Sequence, residues 1–179
     1  DASQAVVGAD AVPFKGTLDN PVQIALIYPS ADTSDFRARN YLALTKRLEQ
    51  LGIAFETTEF ASRQIEHSLQ STYAAPVDQD ADLYDFVIFA PSELATQADN
   101  IDKLAANADL TTFVWAFHTP LKYLEHQPAN WFDFSSAFGA LKMCDYMLER
   151  LGNDVTYAMN RGIPGITDNQ RSGDFKNCV

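Results

Sequence analysis

The sequence predicts an α/β protein, a parallel three-layer α/β/α sandwich, and three observations lead there. Residues 22–30, VQIALIYPS, form an apolar run of strand length. A polar loop, ADTSD, leads from it into an amphipathic helix, and two more apolar strands follow with helices between them. Strands that alternate with helices lie parallel, and such sheets take ligands at the strand carboxyl ends. The loop at residues 31–35 is therefore the first place to look for function.

The first helix reads SDFRARNYLALTKRLEQLG. Phe36, Tyr41, Leu44, Leu48 and Leu51 recur at three-to-four spacing along one stripe, Asp32 to Asp35 offer N-caps, and Gly52 offers the C-cap. The second strand is IAFETTEF. A helix is expected from Ala61 to about Tyr73, and PVDQDAD reads as a loop before the third strand, YDFVIFA. Pro91 and Ser92 open a third helix over about 93–108, and TTFVWAFH is the fourth strand, stopped at Thr119 and Pro120. A polar and aromatic crossing loop leads to a short strand, NWFDF. Ser135 or Ser136 then caps a helix whose apolar face is expected to be Phe138, Leu141, Met147, Leu148 and Leu151. DVTYAMN reads as a sixth strand, and a Gly/Pro loop opens a helix that stops almost at once. That strand's crossover is then incomplete, so the chain is expected to be part of a larger protein, or its last residues pack differently.

Composition narrows the functional classes. The chain has 179 residues, 46% hydrophobic and 21% charged, enough for a sizeable core. Its 24 acidic and 13 basic residues give a net charge of −11, which repels nucleic acid and anionic membrane surfaces and leaves a small molecule or a protein as the expected partner. The longest apolar runs are strand length, well short of the ~20 residues of a membrane-spanning helix, so no direct membrane insertion is expected. Residues 1–20 are small, polar and aperiodic, like a mature secreted N-terminus after signal cleavage, and a trimmed chain would read the same. Two cysteines, Cys144 and Cys178, imply no disulfide framework, and separate thiols are favoured over a bridge.

Catalytic and metal signatures are missing from the sequence. There is no G-x-S-x-G elbow, no Gly-rich phosphate loop and no Cys-x-x-Cys. Neither His67 nor His126 has a metal-ligand spacing to other His, Cys or carboxylate groups. No metal or other cofactor is expected, and the chain is not expected to be an enzyme. The alternative from another class is a flavodoxin-like or hydrolase-like α/β enzyme acting on a small polar substrate, whose terminal strand would join the first sheet.

Three stretches, IALIYPSADTSDFRARN, FVWAFHTPLKYLEHQP and GIPGITDNQRSGDF, resemble type I periplasmic binding proteins in order and spacing, most of all those of the LuxP autoinducer-2 receptor kind. The likeness runs from about Pro21 to Phe175. It implies two α/β lobes that close on a sugar or sugar-derived solute. On this reading 1–20 is an extended segment, 21–152 the N-terminal lobe, and 153–179 the first strand and loop of a C-terminal lobe. The resemblance places Asp32, Ser34, Phe36 and Arg37 of the first loop and helix, Ala116 and His118 at the end of the fourth strand, and Arg171 of the final loop beside the ligand. Ser34 and Arg171 agree with the autoinducer-2 pattern, whereas Asp32, Arg37 and Ala116 replace Gln, Trp and Asn. An arginine in place of an aromatic platform favours a ligand bearing carboxylate, sulfonate or phosphate.

Other readings stay open beside these. Asp32 and Ser34 serve equally well as helix caps, Arg37 as a solvated first-turn residue paired with a carboxylate, and Trp115 and Trp131 as core aromatics. The resemblance further implies a periplasmic location with the signal peptide removed, and either an ABC-transporter permease or a membrane sensor kinase as partner, the latter in quorum sensing and signal transduction. A homodimer of the chain is a further expectation.

Overall fold

The computed structural model describes residues 18–29, 35–63, 66–92, 94–115, 124–131, 135–162 and 168–179. Among them a five-stranded sheet runs in the order β2-β1-β3-β4-β5, with every neighbouring pair parallel. The strands are β1 (Val22–Pro29), β2 (Phe55–Ser62), β3 (Phe86–Phe89), β4 (Thr111–Val114) and β5 (Asn130–Trp131). The helices are α1 (Asp35–Leu51), α2 (His67–Gln79), α3 (Leu94–Ala106), α4 (Ser136–Leu151) and the short α5 (Asp174–Cys178).

Burial follows position in the sheet. β1 lies between two neighbours, and Ile24 to Tyr28 are all buried, as expected of a parallel strand covered on both faces. β2 is an edge strand whose residues alternate between half-buried and exposed along its first half, which is why its sequence, FETTEFAS, mixes charge with aromatics. Tyr41, Leu44 and Leu48 of α1 pack on Ile24, Leu26 and Tyr28, so the predicted stripe of that helix is the one that faces the sheet. Gly52, after α1, has φ +71°, a conformation in which a side chain would be strained.

Several boundaries differ from expectation. β2 continues to Ser62, and α2 starts at His67 and runs through Pro76 to Gln79, whereas a helix over 61–73 and a loop over 76–82 are predicted. Pro76 lacks only its own N–H, and its carbonyl still accepts from Asp80 N at 2.9 Å, so α2 gives up one bond near its end and keeps Gln70, Ala74 and Val77 buried. Residues 154–160, DVTYAMN, are not a strand, because no ladder partner lies beside them among the described residues.

The sheet with α1–α3 forms one compact unit, and α4 with the carboxyl-terminal turns forms another. In the second unit Ser135 Oγ accepts from Phe138 N at 3.2 Å and caps α4 as predicted. The buried face of α4 is the predicted one only in part. Ala140 and Cys144 pack on Phe175, with Met147 and Leu148 beside them, while Phe138, Leu141 and Leu151 are exposed. Two apolar stripes run along this helix, and what selects one of them is covalent: Cys144 and Cys178 form a disulfide. The separate thiols expected from the sequence are therefore corrected. Pairing required α5 to return along α4, which the cysteine count alone could not reveal.

Candidate functional site

The sheet positions a site at the carboxyl ends of its strands. Register pairs Pro29 with Ser62, Ile27 with Phe89, and Phe89 with Val114, so the ends of β1 to β4 share one edge. Strand order reverses between β1 and β3, and crevices outside such switch points are where open α/β sheets take ligands.

On this edge Arg37, in the first turn of α1, is 8% exposed. Burial lowers its guanidinium pKa to about 10, because a desolvated cation is disfavoured. The helix N-terminus adds partial positive charge there, so the surroundings favour an anion. The solvated first-turn role considered for Arg37 does not hold, since the residue is buried. At the end of β2, Ser62 is 3% exposed, and its hydroxyl has no hydrogen-bond partner among the described residues. A buried hydroxyl without a partner carries a desolvation cost that a ligand oxygen would remove.

The loop after β3 is held by side chains rather than left mobile. Buried Gln70 of α2 donates Nε2 to Ala90 O at 3.0 Å and accepts Ser92 N on Oε1 at 2.8 Å. His67 Nδ1 lies 2.7 Å from Ser92 Oγ. Gln97 of α3, also buried, donates to His67 O at 2.8 Å, and Asn100 links Gln97 Oε1 to Ser71 Oγ. This ladder between α2 and α3 fixes the backbone at the edge while leaving few polar groups unsatisfied. Tyr28, at the end of β1, donates its hydroxyl to Glu59 and stacks on Tyr41, ring centroids 6.4 Å apart. Trp115 packs on the Ile24–Leu26–Tyr28–Ala90 cluster, which agrees with its core reading.

Of the residues expected at the ligand, Arg37 and Arg171 are described with their side chains. Asp32, Ser34, Ala116 and His118 lie outside the described residues, as does the side chain of Phe36. Arg171 is exposed and donates Nε to Ser136 Oγ at 3.3 Å. Close to it in sequence, Asp168 is buried and accepts from Arg161 through Nε at 3.0 Å and through Nη2, from Gly162 N at 3.1 Å and from Ser172 Oγ at 2.9 Å. The Arg161 bonds, with those of Ser172 and Gly162, hold the Asp168 carboxyl below the usual range. Asp168 therefore braces the turn that carries Arg171.

Ser62, Gln70 and Gln97 are site or support residues that the sequence analysis did not single out. For Gln70 a signal exists: it shares the i, i+4, i+7 stripe of Ala74 and Val77, so it is a polar residue on a buried face. Ser62 carries no comparable sequence signal.

No family model matches the sequence. Among solved structures, the chain is similar to an ABC transporter solute-binding protein from Burkholderia multivorans, crystallised with an unknown ligand interpreted as α-D-erythrofuranose. The TM-score is 0.60 at 12% identity, over 89% of this chain and 56% of that one. The likeness is one of fold: a parallel α/β sheet with helices is shared with that protein's corresponding region. This chain spans a little over half the length of the solved chain it matches.

Proposed function

We propose that this chain is the ligand-binding first lobe of a periplasmic solute-binding protein that takes a sugar or sugar-derived solute in an interlobe cleft. Two supports carry this reading: the fold likeness to a transporter solute-binding protein, and a buried arginine at the carboxyl edge of the sheet. The desolvated Arg37 favours a solute with an acidic group, such as a sugar acid or sugar phosphate. Asp32, Ser34, Phe36, Ala116, His118 and Arg171 complete the proposed contact set, with Asp32 and Ser34 accepting from or donating to ring hydroxyls. The domain division is part of the reading: 21–152 is the first lobe and 153–179 opens the second. Delivery goes to an ABC permease. A sensor kinase receiving an autoinducer-2-like solute is the second reading, supported only by the first-loop and final-loop resemblance.

Native mass spectrometry and isothermal titration with a panel of neutral furanoses, sugar acids and sugar phosphates test the proposal. Arg37→Met and Arg171→Ala should each weaken binding of the acidic solute at least tenfold, because ligand oxygens lose their donors. Unchanged affinity in both variants, or tightest binding to a neutral sugar with no loss in Arg37→Met, removes the assignment.

A further inference from the structure

The sequence offers no metal-ligand spacing around any histidine, yet folding brings His126 to Asp102, 24 positions away on α3. His126 N donates to Asp102 Oδ1 at 2.7 Å, and His126 Nδ1 lies 3.2 Å from Asp102 Oδ2. Glu125 joins them: one ligand atom from each of Asp102, Glu125 and His126 lies within 4.8 Å of the others. All three residues belong to the compact unit that holds the sheet.

From this cluster we infer a surface site for a divalent transition-metal ion, zinc fitting it best, that clips the segment leading into β5 onto α3. Zinc bonds to imidazole nitrogen and carboxylate oxygen are about 2.0–2.2 Å long. At tetrahedral or octahedral angles, adjacent ligand atoms then stand about 3.0–3.5 Å apart. The 3.2 Å between Nδ1 and Oδ2 matches that separation; an ion would replace the direct contact of that pair and draw in the Glu125 oxygen, which starts within 4.8 Å of both. One nitrogen and two carboxylates suit zinc among first-row ions better than magnesium or calcium, which take oxygen-only shells. Three protein ligands at a surface also leave coordination positions for water.

Local electrostatics act in the same direction. The His126 backbone N–H, donating to Asp102 Oδ1 at 2.7 Å, fixes the orientation of that carboxyl group before any ion arrives. Two acidic side chains gathered at one point of a chain whose net charge is −11 attract a dication. The consequence is structural. Asp102 lies on α3, Glu125 and His126 lie on the segment entering β5, and among the described residues β5 has two register pairs to β4. A shared ion would therefore tie an edge strand of the described sheet to α3. This inference is independent of the proposed solute.

Isothermal titration and thermal unfolding of the metal-stripped chain with zinc chloride test it, with calcium chloride as the comparison. The expected result is one zinc per chain, little response to calcium, and a melting temperature about 5 °C higher at hundredfold excess over Kd. His126→Gln and Glu125→Gln, neither of which removes a backbone bond, should each weaken binding at least tenfold. His67→Gln should leave it unchanged. No saturable binding by 1 mM zinc, or equal affinity in wild type, His126→Gln and Glu125→Gln, would overturn the assignment and leave the cluster as an ordinary ion pair.

Discussion

Replacing Arg37 with methionine separates the stability of the lobe from its proposed use. Burial lowers the guanidinium well below the usual arginine range, to about 10, and at about 1.36 kcal/mol per pH unit the buried charge costs roughly 3 kcal/mol. Whatever hydrogen bonds Arg37 makes are outweighed, since the net displacement is downward. Methionine has similar length and no charge, so Arg37→Met should stabilise the sheet unit by about 1–3 kcal/mol, the lower figure allowing for hydrogen bonds lost with the guanidinium. The assay is urea unfolding followed by the fluorescence of Trp115 and Trp131, both within that unit. With a slope near 2 kcal/mol per M, the midpoint should rise by about 0.5–1.5 M. The sign with pH follows from proton linkage. The folded pKa is the lower one, so between about 10 and the unfolded value the unfolded chain holds more protons, and stability of the wild type rises with pH. Below pH 9 the full penalty is present, and the gap between variant and wild type should narrow as pH climbs through 10. A variant no more stable than wild type at pH 7 refutes the claim that Arg37 is kept at a cost to stability, and with it the main support for an acidic solute.

Three further outcomes follow from the packing. Reducing Cys144–Cys178, or replacing both with serine, opens a loop spanning 34 positions and should destabilise the second unit by roughly 4 kcal/mol on chain-entropy grounds; hydrogen exchange in α4 and α5 that stays unchanged on reduction would count against it. Gln70→Leu removes the bonds to Ala90 O and Ser92 N and should cost about 1–3 kcal/mol by urea unfolding; a neutral effect would mean that these two bonds do not stabilise the fold. Asp168 has a lowered folded pKa, so its contribution is complete above the unfolded carboxyl value near 3.9 and is lost as pH falls through the folded one. Asp168→Asn should therefore speed hydrogen exchange over residues 157–162 and 168–175 at pH 7 and make little difference near pH 2; an equal effect at both pH values would show that the charge is not what matters.

Much of the fold is written in local pattern. The alternation of VQIALIYP, FETTEFAS, FVIF and TTFV with helical stripes is enough for a parallel sheet, because a strand buried on both faces must be apolar throughout and an edge strand need not be. The stripe of α1, the Ser135 cap and the Gly52 stop are all legible, since each depends on neighbours within a helical turn. Legibility fails where two local solutions compete. The α4 sequence carries two apolar stripes, and the stretch DVTYAMN has strand propensity but finds no strand beside it among the described residues. Pro76 reads as a breaker, yet one missing N–H near the end of α2 is a smaller loss than exposing Val77.

What the sequence by itself determined is the class of fold and the edge at which to look, because hydrophobic periodicity and loop chemistry act over a few residues. Only the tertiary structure decided which polar groups that edge holds out of water. The burial of Arg37, the Ser62 hydroxyl that has no partner among the described residues, the Gln70 brace, the Cys144–Cys178 bridge and the meeting of His126 with Asp102 all arise between residues distant in the chain or from desolvation by surrounding elements. A cation's cost and a ligand's reach depend on what packs around them, and that environment exists only once the strands have paired and the helices have closed over the sheet.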